Sequence, residues 1–468
     1  MTAIKLVARN FIALGSGEVI SRIITFAATV YLARVLGAEG YGVIVFAISV
    51  NLYLSKVADF SIEVIGTKEL AKAPDVVSKL ASAVMTVRIT LAAILTGMAI
   101  FVTQMFVAEP ERSIMSLFYL MLIPISANTK WIHLGLEKAG SIGLSRIVSE
   151  SLSLGILLSI VRNKGDLWGA PLAQIAGEFC FAFMLVFVLR KRNYRFKIKW
   201  DLGTALPVFA QALPILGQNI LWLIIYNSDL IFLRLFHDGI SVGYYAAAYM
   251  LISFLANIGF SYSMSLLPTL TRLGAKTAGE KTLYQMAIMH VYMVCLPVSI
   301  GGHIMAPQLI TFGFGEGYVH SIQALQVLIW CIPISLVRGV PWAALIARSK
   351  QDLILKAVMY SVILNIALNI VLIPLYGILG AGVATVITES FTGVLLFKYA
   401  VRQELPLISL QKLWRPTIAS LFMAATLVIL KLSSLWVGIT FGVVIYSIAL
   451  MALGRIRLDK GKLPALQI

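Results

Sequence analysis

The residues here that could do chemistry are charges set inside apolar runs. Arg22 stands in V-I-S-R-I-I-T-F, about 12 residues into the first such run, or roughly 18 Å along a helix. An ionisable group inside a membrane span costs about 2.5–3.5 kcal/mol on insertion scales, so it normally faces a cavity or a partner. A guanidinium stays charged and presents a planar fork of donors suited to phosphate oxygens. Arg22 is therefore a candidate contact for an anionic substrate. Glu18 lies four residues earlier on the same helical face, so a self-neutralised Glu18–Arg22 pair is the competing structural reading. Arg338, beside Gly339 and near Pro341, is a second candidate cation, with bonding to a neighbouring helix as its alternative. Arg88 and Lys56 complete the substrate-binding set. They sit nearer the ends of their runs, where a long side chain can instead reach the headgroups. Lys56 precedes Asp59 and Glu63 at helical spacing, so that face is expected to be partly self-paired.

Acids supply a second chemistry. Glu178 and Glu389 fall near the middle of their runs, and Asp229 follows Asn219, Tyr226 and Asn227. A carboxyl at that depth can carry a proton or, ionised, bind a cation. Glu178, Glu389, Asp229 and Glu18 are the candidate ion-coupling residues, for Na+ or H+. The alternative for each is a carboxyl hydrogen-bonded between helices. No cofactor and no metal centre is expected: Cys180, Cys295 and Cys331 are widely spaced, and no His pair has metal-ligand spacing. No G-x-x-x-x-G-K-[ST] loop and no G-x-S-x-G elbow is present, so neither ATP hydrolysis nor serine catalysis is expected.

The elements that must position these charges are membrane helices. Of the 468 residues, 59% are hydrophobic and 13% charged, and mean hydropathy is +0.91. Soluble chains are usually about 45–50% apolar and about 25% charged. Fourteen apolar runs qualify as spans by length: about 10–34, 41–63, 83–107, 113–136, 143–161, 167–189, 208–235, 242–267, 284–312, 321–346, 354–375, 378–399, 413–431 and 434–454. The predicted class is an all-α polytopic membrane protein with a retained first span. The net charge of +17 is not a nucleic-acid footprint, because the 38 basic residues sit in short clusters between the runs. With both termini placed inside, inner segments hold 28 of them and outer loops 6, which orients both termini to the cytoplasm. The heaviest cluster, Arg190 to Lys199, joins the sixth and seventh runs, either as topogenic charge or as a hinge linker.

The chain also repeats itself. Arg34 and Arg234 lie 200 residues apart, each before a short Gly-containing turn. Further on, Trp131 matches Trp342, Gly169-Ala170 matches Gly380-Ala381, and Glu178 matches Glu389, all 211 apart. Two parallel six-span repeats follow, residues 1–200 and 201–405, with two further spans and a cytoplasmic tail in 406–468. Parallel repeats around a midplane cavity are one design of secondary transporters.

With these residues in place, the sequence resembles the polysaccharide transporter family of oligosaccharide and O-antigen flippases. That family lies in the superfamily that also holds multidrug antiporters and the lipid II flippase. The resemblance rests on S-R-I-I-T-F-A-A-T-V-Y-L-A-R-V-L-G-A-E-G-Y-G from Ser21 to Gly42, on Asp229 followed by I-F-L-R-L-F, and on Gly243-Tyr244-Tyr245-Ala246-Ala247. It implies two six-helix bundles in a V around a central cavity, and no enzyme activity. The implied cargo is a polyprenyl-diphosphate-linked oligosaccharide, flipped from the inner to the outer leaflet of the cell membrane by alternating access. Membrane lipids and the glycan polymerase and ligase machinery are the implied partners. Arg22 matches a first-span arginine associated with the diphosphate in lipid II flippases, whereas the second arginine expected six residues on is Ala28 here. That departure disfavours lipid II as cargo. A cation-coupled drug antiporter on the same fold is the main alternative. A membrane glycan polymerase is a third, and the short outer loops speak against it.

Overall fold

The computed structural model describes residues 3–72, 77–137, 140–194, 196–197, 199–407, 413–430 and 434–454, with side chains from Gly17 onward except at 72 and 258. The cytoplasmic tail expected after residue 454 lies outside the described residues. All regular structure among the described residues is helical. Among the described residues, ten helices are long and apolar enough to cross a membrane, and 414–430 is a shorter apolar one.

The chain folds as two compact units, Met1–Ile231 and Phe232–Ile468. The first begins with α1 (Ala3–Asp59), which breaks at Gly37, where φ is +71°, a value glycine adopts without penalty. Then come α2 (Ile62–Lys72), α3 (Val77–Phe106), three short helices α4 (Glu111–Tyr119), α5 (Leu122–Ser126) and α6 (Lys130–Gly135), and the apolar pair α7 (Gly140–Ile160) and α8 (Gly169–Arg190). The single span expected over 113–136 is thus interrupted twice. Most of α9 (Leu202–Phe236) belongs to this unit. It runs beside α1, where Asn219 donates to Ser61 Oγ at 2.9 Å and Asn227 to the Ser49 carbonyl at 3.0 Å.

The second unit holds α10 (Gly239–Leu273), α11 (Ala278–Ile304), α12 (Ala306–Phe314), α13 (Ser321–Leu328), α14 (Cys331–Ala347), α15 (Gln351–Arg402), α16 (Trp414–Leu430) and α17 (Leu435–Leu453). α15 turns back on itself at Gly377, where φ is +55°. Its two limbs lie antiparallel, with Thr392 donating to Ser361 Oγ at 2.7 Å and Asn365 to Thr388 Oγ1 at 3.4 Å.

One local feature occurs in both units. Ile-Pro-Ile-Ser occurs at 123–126 and again at 332–335. A proline removes one helical hydrogen bond and clashes with the carbonyl four residues back. That carbonyl belongs to Leu120 in one unit and Ile329 in the other, and the helix breaks there in both, between α4 and α5 and between α13 and α14. Left-handed residues also recur in matching places: Glu137 and Ser349 at +57° and +56°, Asn193 and Glu404 both at +64°.

The basic linker after α8 is not loose. The backbone N–H groups of Lys197 and Lys199 donate to Ser82 Oγ at 3.1 Å and Thr86 Oγ1 at 2.9 Å, laying the segment along α3. Tyr194 and Phe196 pack on the apolar cluster that joins Leu80 and Val84 to Phe209.

Candidate functional site

In the first unit, five charges on three helices form one network. Two close crossings make it possible. A Cβ on Gly17 would lie 2.5 Å from Gly143 Cα, and one on Gly177 would meet Ser153 Cβ at 3.0 Å. Only glycine lets α1 and α8 approach α7 this closely. Beyond the first crossing, Arg22 pairs with Glu18 one helical turn away at 2.9 Å, as the i,i+4 spacing predicts. Thr25 follows on the same helix, and its hydroxyl is shared between the Ser21 carbonyl and Glu150 Oε2, at 2.9 and 3.1 Å. Arg146 then bridges two carboxylates, Glu178 at 2.7 Å and Glu150 at 3.1 Å, with its guanidinium 5.1 Å from the Phe181 ring centre.

Three carboxylates and two guanidiniums leave the network with a formal charge of −1. Accessibility falls along it: the Arg22 side chain is 46% exposed and Arg146 33%, while Glu150 and Glu178 are 18% and 17%. Arg146 and Glu150 were not among the residues that the sequence singled out. Arg146 counts there as loop charge, although R-I-V-S-E has the same four-residue spacing that marks Glu18 and Arg22.

The other candidates are placed differently. Arg338 forms a bidentate pair with Glu389, Nε to Oε2 at 2.7 Å and Nη2 to Oε1 at 3.1 Å, and both side chains are buried. Glu178 and Glu389, matched in the repeat, thus both take arginines, but from α7 in one unit and α14 in the other. Arg88 is buried, paired with Asp59 and donating to the carbonyls of Asn128 and Ile125 at 3.2 and 3.3 Å. The expected headgroup position of Arg88 is therefore replaced by one inside the bundle. The expected self-pairing of Lys56 with Asp59 and Glu63 also fails. Phe60 and Ser61 both have φ near +53°, so α1 stops at Asp59 and the helical register is lost. Glu63 instead pairs with Lys130 at 3.0 Å, and Lys56 is half-buried at the end of α1. Asp229 is buried in α9, two residues beyond Asn227.

One further buried pair lies in the second unit. Arg348 grips Glu280 through Nε and Nη2 at 2.7 and 2.6 Å and donates to the Gln403 carbonyl, tying the ends of α11, α14 and α15 together.

Residues 7–274 match the family described as polysaccharide biosynthesis proteins. The chain is 20% identical over 389 residues to an O-antigen transporter of Escherichia coli strain K12, covering 80% of this chain and 92% of that one. It is 23% identical over 228 residues to the low-salt glycan biosynthesis flippase Agl15 of Haloferax volcanii, covering 47% of this chain and 48% of that protein. Among solved structures it is similar to the lipid II flippase MurJ in an inward closed conformation, with a TM-score of 0.79 at 14% identity over 94% of this chain and 98% of that one. It is also similar to an inward-facing MATE family multidrug transporter of the MOP superfamily, with a TM-score of 0.62 at 15% identity over 82% of this chain and 94% of that one. These two likenesses are of fold. A family match across more than half of a multi-pass helical chain identifies this protein as a member of the polysaccharide biosynthesis protein family.

Proposed function

We propose that this protein is a secondary transporter that flips a polyprenyl-diphosphate-linked oligosaccharide from the inner to the outer leaflet of the cell membrane. The observation that carries the reading is the accessibility of Arg22. Among the arginines proposed as cargo contacts, Arg88 and Arg338 are buried in ion pairs, whereas Arg22 is nearly half exposed beside a hydroxyl and a second accessible arginine. The names of the O-antigen transporter and of Agl15 support the same class of cargo. In this reading the repeats 1–200 and 201–405 alternate access to the cargo, 406–468 is appended, and both termini face the cytoplasm. Lys56 is a second cargo contact at the end of α1, while Arg88 and Arg338 hold helices together. Glycan polymerase and ligase enzymes act on the delivered product. Ala28 argues against lipid II as the cargo.

The test is surface-glycan export in a strain that depends on this protein. Arg22→Ala is expected to abolish export at normal protein levels, and Arg22→Lys to keep part of it, because lysine retains the charge and loses the fork. Glu18→Gln is expected to do less harm, since it frees the cation. A cation-coupled drug antiporter is the second reading, and the network's single excess carboxylate favours it. Under that reading Glu18→Gln disables transport and Arg22→Ala is tolerated.

A further inference from the structure

The proposed cargo is anionic, yet the network that presents Arg22 already holds one carboxylate too many. Of the charged and titratable groups on the helices packed against α7, Glu18 on α1 and Glu178 on α8 act on Arg146 and Glu150, Arg22 pairs with Glu18, and the ring nitrogens of His133 on α6 contact the Leu185 carbonyl and Ser141 Oγ. Among the described residues, Arg146 is the cation that pairs with Glu150, at 3.1 Å, and it is shared with Glu178 at the shorter distance of 2.7 Å.

We infer that Arg146 is a further cargo-contacting residue beside Arg22, that Glu150 is the counter-ion holding its place while the site is empty, and that cargo binding displaces Glu150 and loads it with a proton. The inference rests on the anionic-cargo reading. A diphosphate of about two negative charges entering a site of charge −1 would raise the excess to about three. In a protein interior, two like charges about 4 Å apart disfavour each other by roughly a thousandfold in equilibrium terms, and the diphosphate counts twice. Protonating an ordinary glutamate at pH 7 costs only about 500-fold, so proton uptake is the cheaper route. The exchange is simple: two guanidinium N–H bonds turn from the Glu150 and Glu178 oxygens to phosphate oxygens, and a proton from cavity water is added to a Glu150 oxygen. No covalent bond between heavier atoms changes. Thr25, already bonded to Glu150 Oε2, remains to hold the neutral carboxyl.

The sign of this coupling has a consequence. Proton and cargo assist each other's binding, and linkage makes the effect reciprocal. They leave together, so an inward proton gradient acting through Glu150 opposes export and does not drive it. Glu150 is then a charge compensator, and the driving force for export lies elsewhere.

The test uses the full-length protein in lipid nanodiscs with farnesyl diphosphate as probe, titrated calorimetrically in two buffers of different ionisation heat. Wild type is expected to take up about one more proton per bound probe than Glu150→Gln, and its affinity to fall by up to about tenfold per pH unit above neutrality. The probe's own protonation is common to both proteins and cancels in the difference. Glu150→Gln is expected to bind about threefold to tenfold more tightly at pH 8, since the competitor is gone. Glu150→Asp retains the uptake. Weaker binding by a folded Glu150→Gln, or equal proton uptake in the two proteins, overturns the inference and leaves the anionic-cargo reading intact. No binding by wild type at any pH overturns both.

Discussion

Replacing Arg338 by leucine strands the Glu389 carboxylate, which is 3% exposed and loses both of its guanidinium contacts. Breaking a buried pair from one side costs about 3–5 kcal/mol when the remaining charge has no compensation. The carboxyl has one escape, which is to take a proton. For an ordinary glutamate that costs about 3.7 kcal/mol at pH 7 and about 2.3 kcal/mol at pH 6, because each pH unit is worth about 1.4 kcal/mol. The deficit of Arg338→Leu is therefore capped near 4 kcal/mol at pH 7 and is expected to shrink as the pH falls. Removing both charges avoids the penalty, since well-packed apolar replacements of a buried pair are often neutral or better. Arg338→Leu/Glu389→Leu should therefore recover most of the loss. Unfolding followed in one detergent at pH 6, 7 and 8, for wild type, both single variants and the double variant, reads all four expectations. A single variant as stable as wild type at pH 8, or a double variant no better than the singles, would refute a structural role. A stable double variant that cannot export glycan would return Arg338 to the cargo contacts.

Five other outcomes are expected. Gly17→Val should open the crossing of α1 and α7 and abolish export with little loss of protein, since its Cβ would stand 2.5 Å from Gly143 Cα; a fully active variant sinks the idea that this crossing assembles the network. Arg348→Ala should cost about 3–5 kcal/mol by leaving Glu280 buried and unpaired. Glu404, by contrast, is held below the ordinary carboxylate range by hydrogen bonding and charge from Lys276 at 2.5 Å, which places its small contribution above the ordinary glutamate value and removes it as the pH falls. That pair is exposed, so Glu404→Gln should leave the unfolding midpoint unchanged in physiological salt. Asp238 caps α10 by accepting from the Ser241 N–H at 2.8 Å, and Asp238→Ala should cost about 1 kcal/mol in the same unfolding assay. Tags at the N-terminus, in the 190–200 segment and at the C-terminus should all report from the cytoplasm, and an external signal from any one breaks the proposed topology.

Composition and run length were enough to read a helical membrane chain, because lipid demands internal pairing of every backbone group. Glu178 and Glu389 could be paired by their offset, whereas the repeated Ile-Pro-Ile-Ser, at which a helix breaks in both units, is a four-residue signal among many apolar residues. What sequence spacing could not show was partnership between distant helices. Glu18 and Arg22 pair within one turn, so four residues sufficed. Arg338 and Glu389 are 51 residues apart and Arg146 and Glu178 are 32 apart, and those pairs exist only once the helices have packed. Local reasoning failed at Lys56 for a similar cause. Nothing in F-S-I-E announces that Phe60 and Ser61 leave the helix, and with them goes the face that Lys56 was expected to share with Glu63.

The reversal at Gly377 bears on how the protein is made. Its flanking residues Leu375 and Tyr376 are exposed and apolar, and the limbs on either side are joined without a polar loop. Almost no hydrophilic chain has to cross the bilayer when this hairpin enters it. Both limbs can pass from the insertion machinery into lipid as one unit, their side-chain hydrogen bonds already formed. A stretch of polar residues inserted after Gly377 should then slow membrane integration of the pair far more than the same stretch placed in the 190–200 linker. Pulse-labelling with an accessibility probe would measure the difference, and equal integration rates would rule out concerted entry.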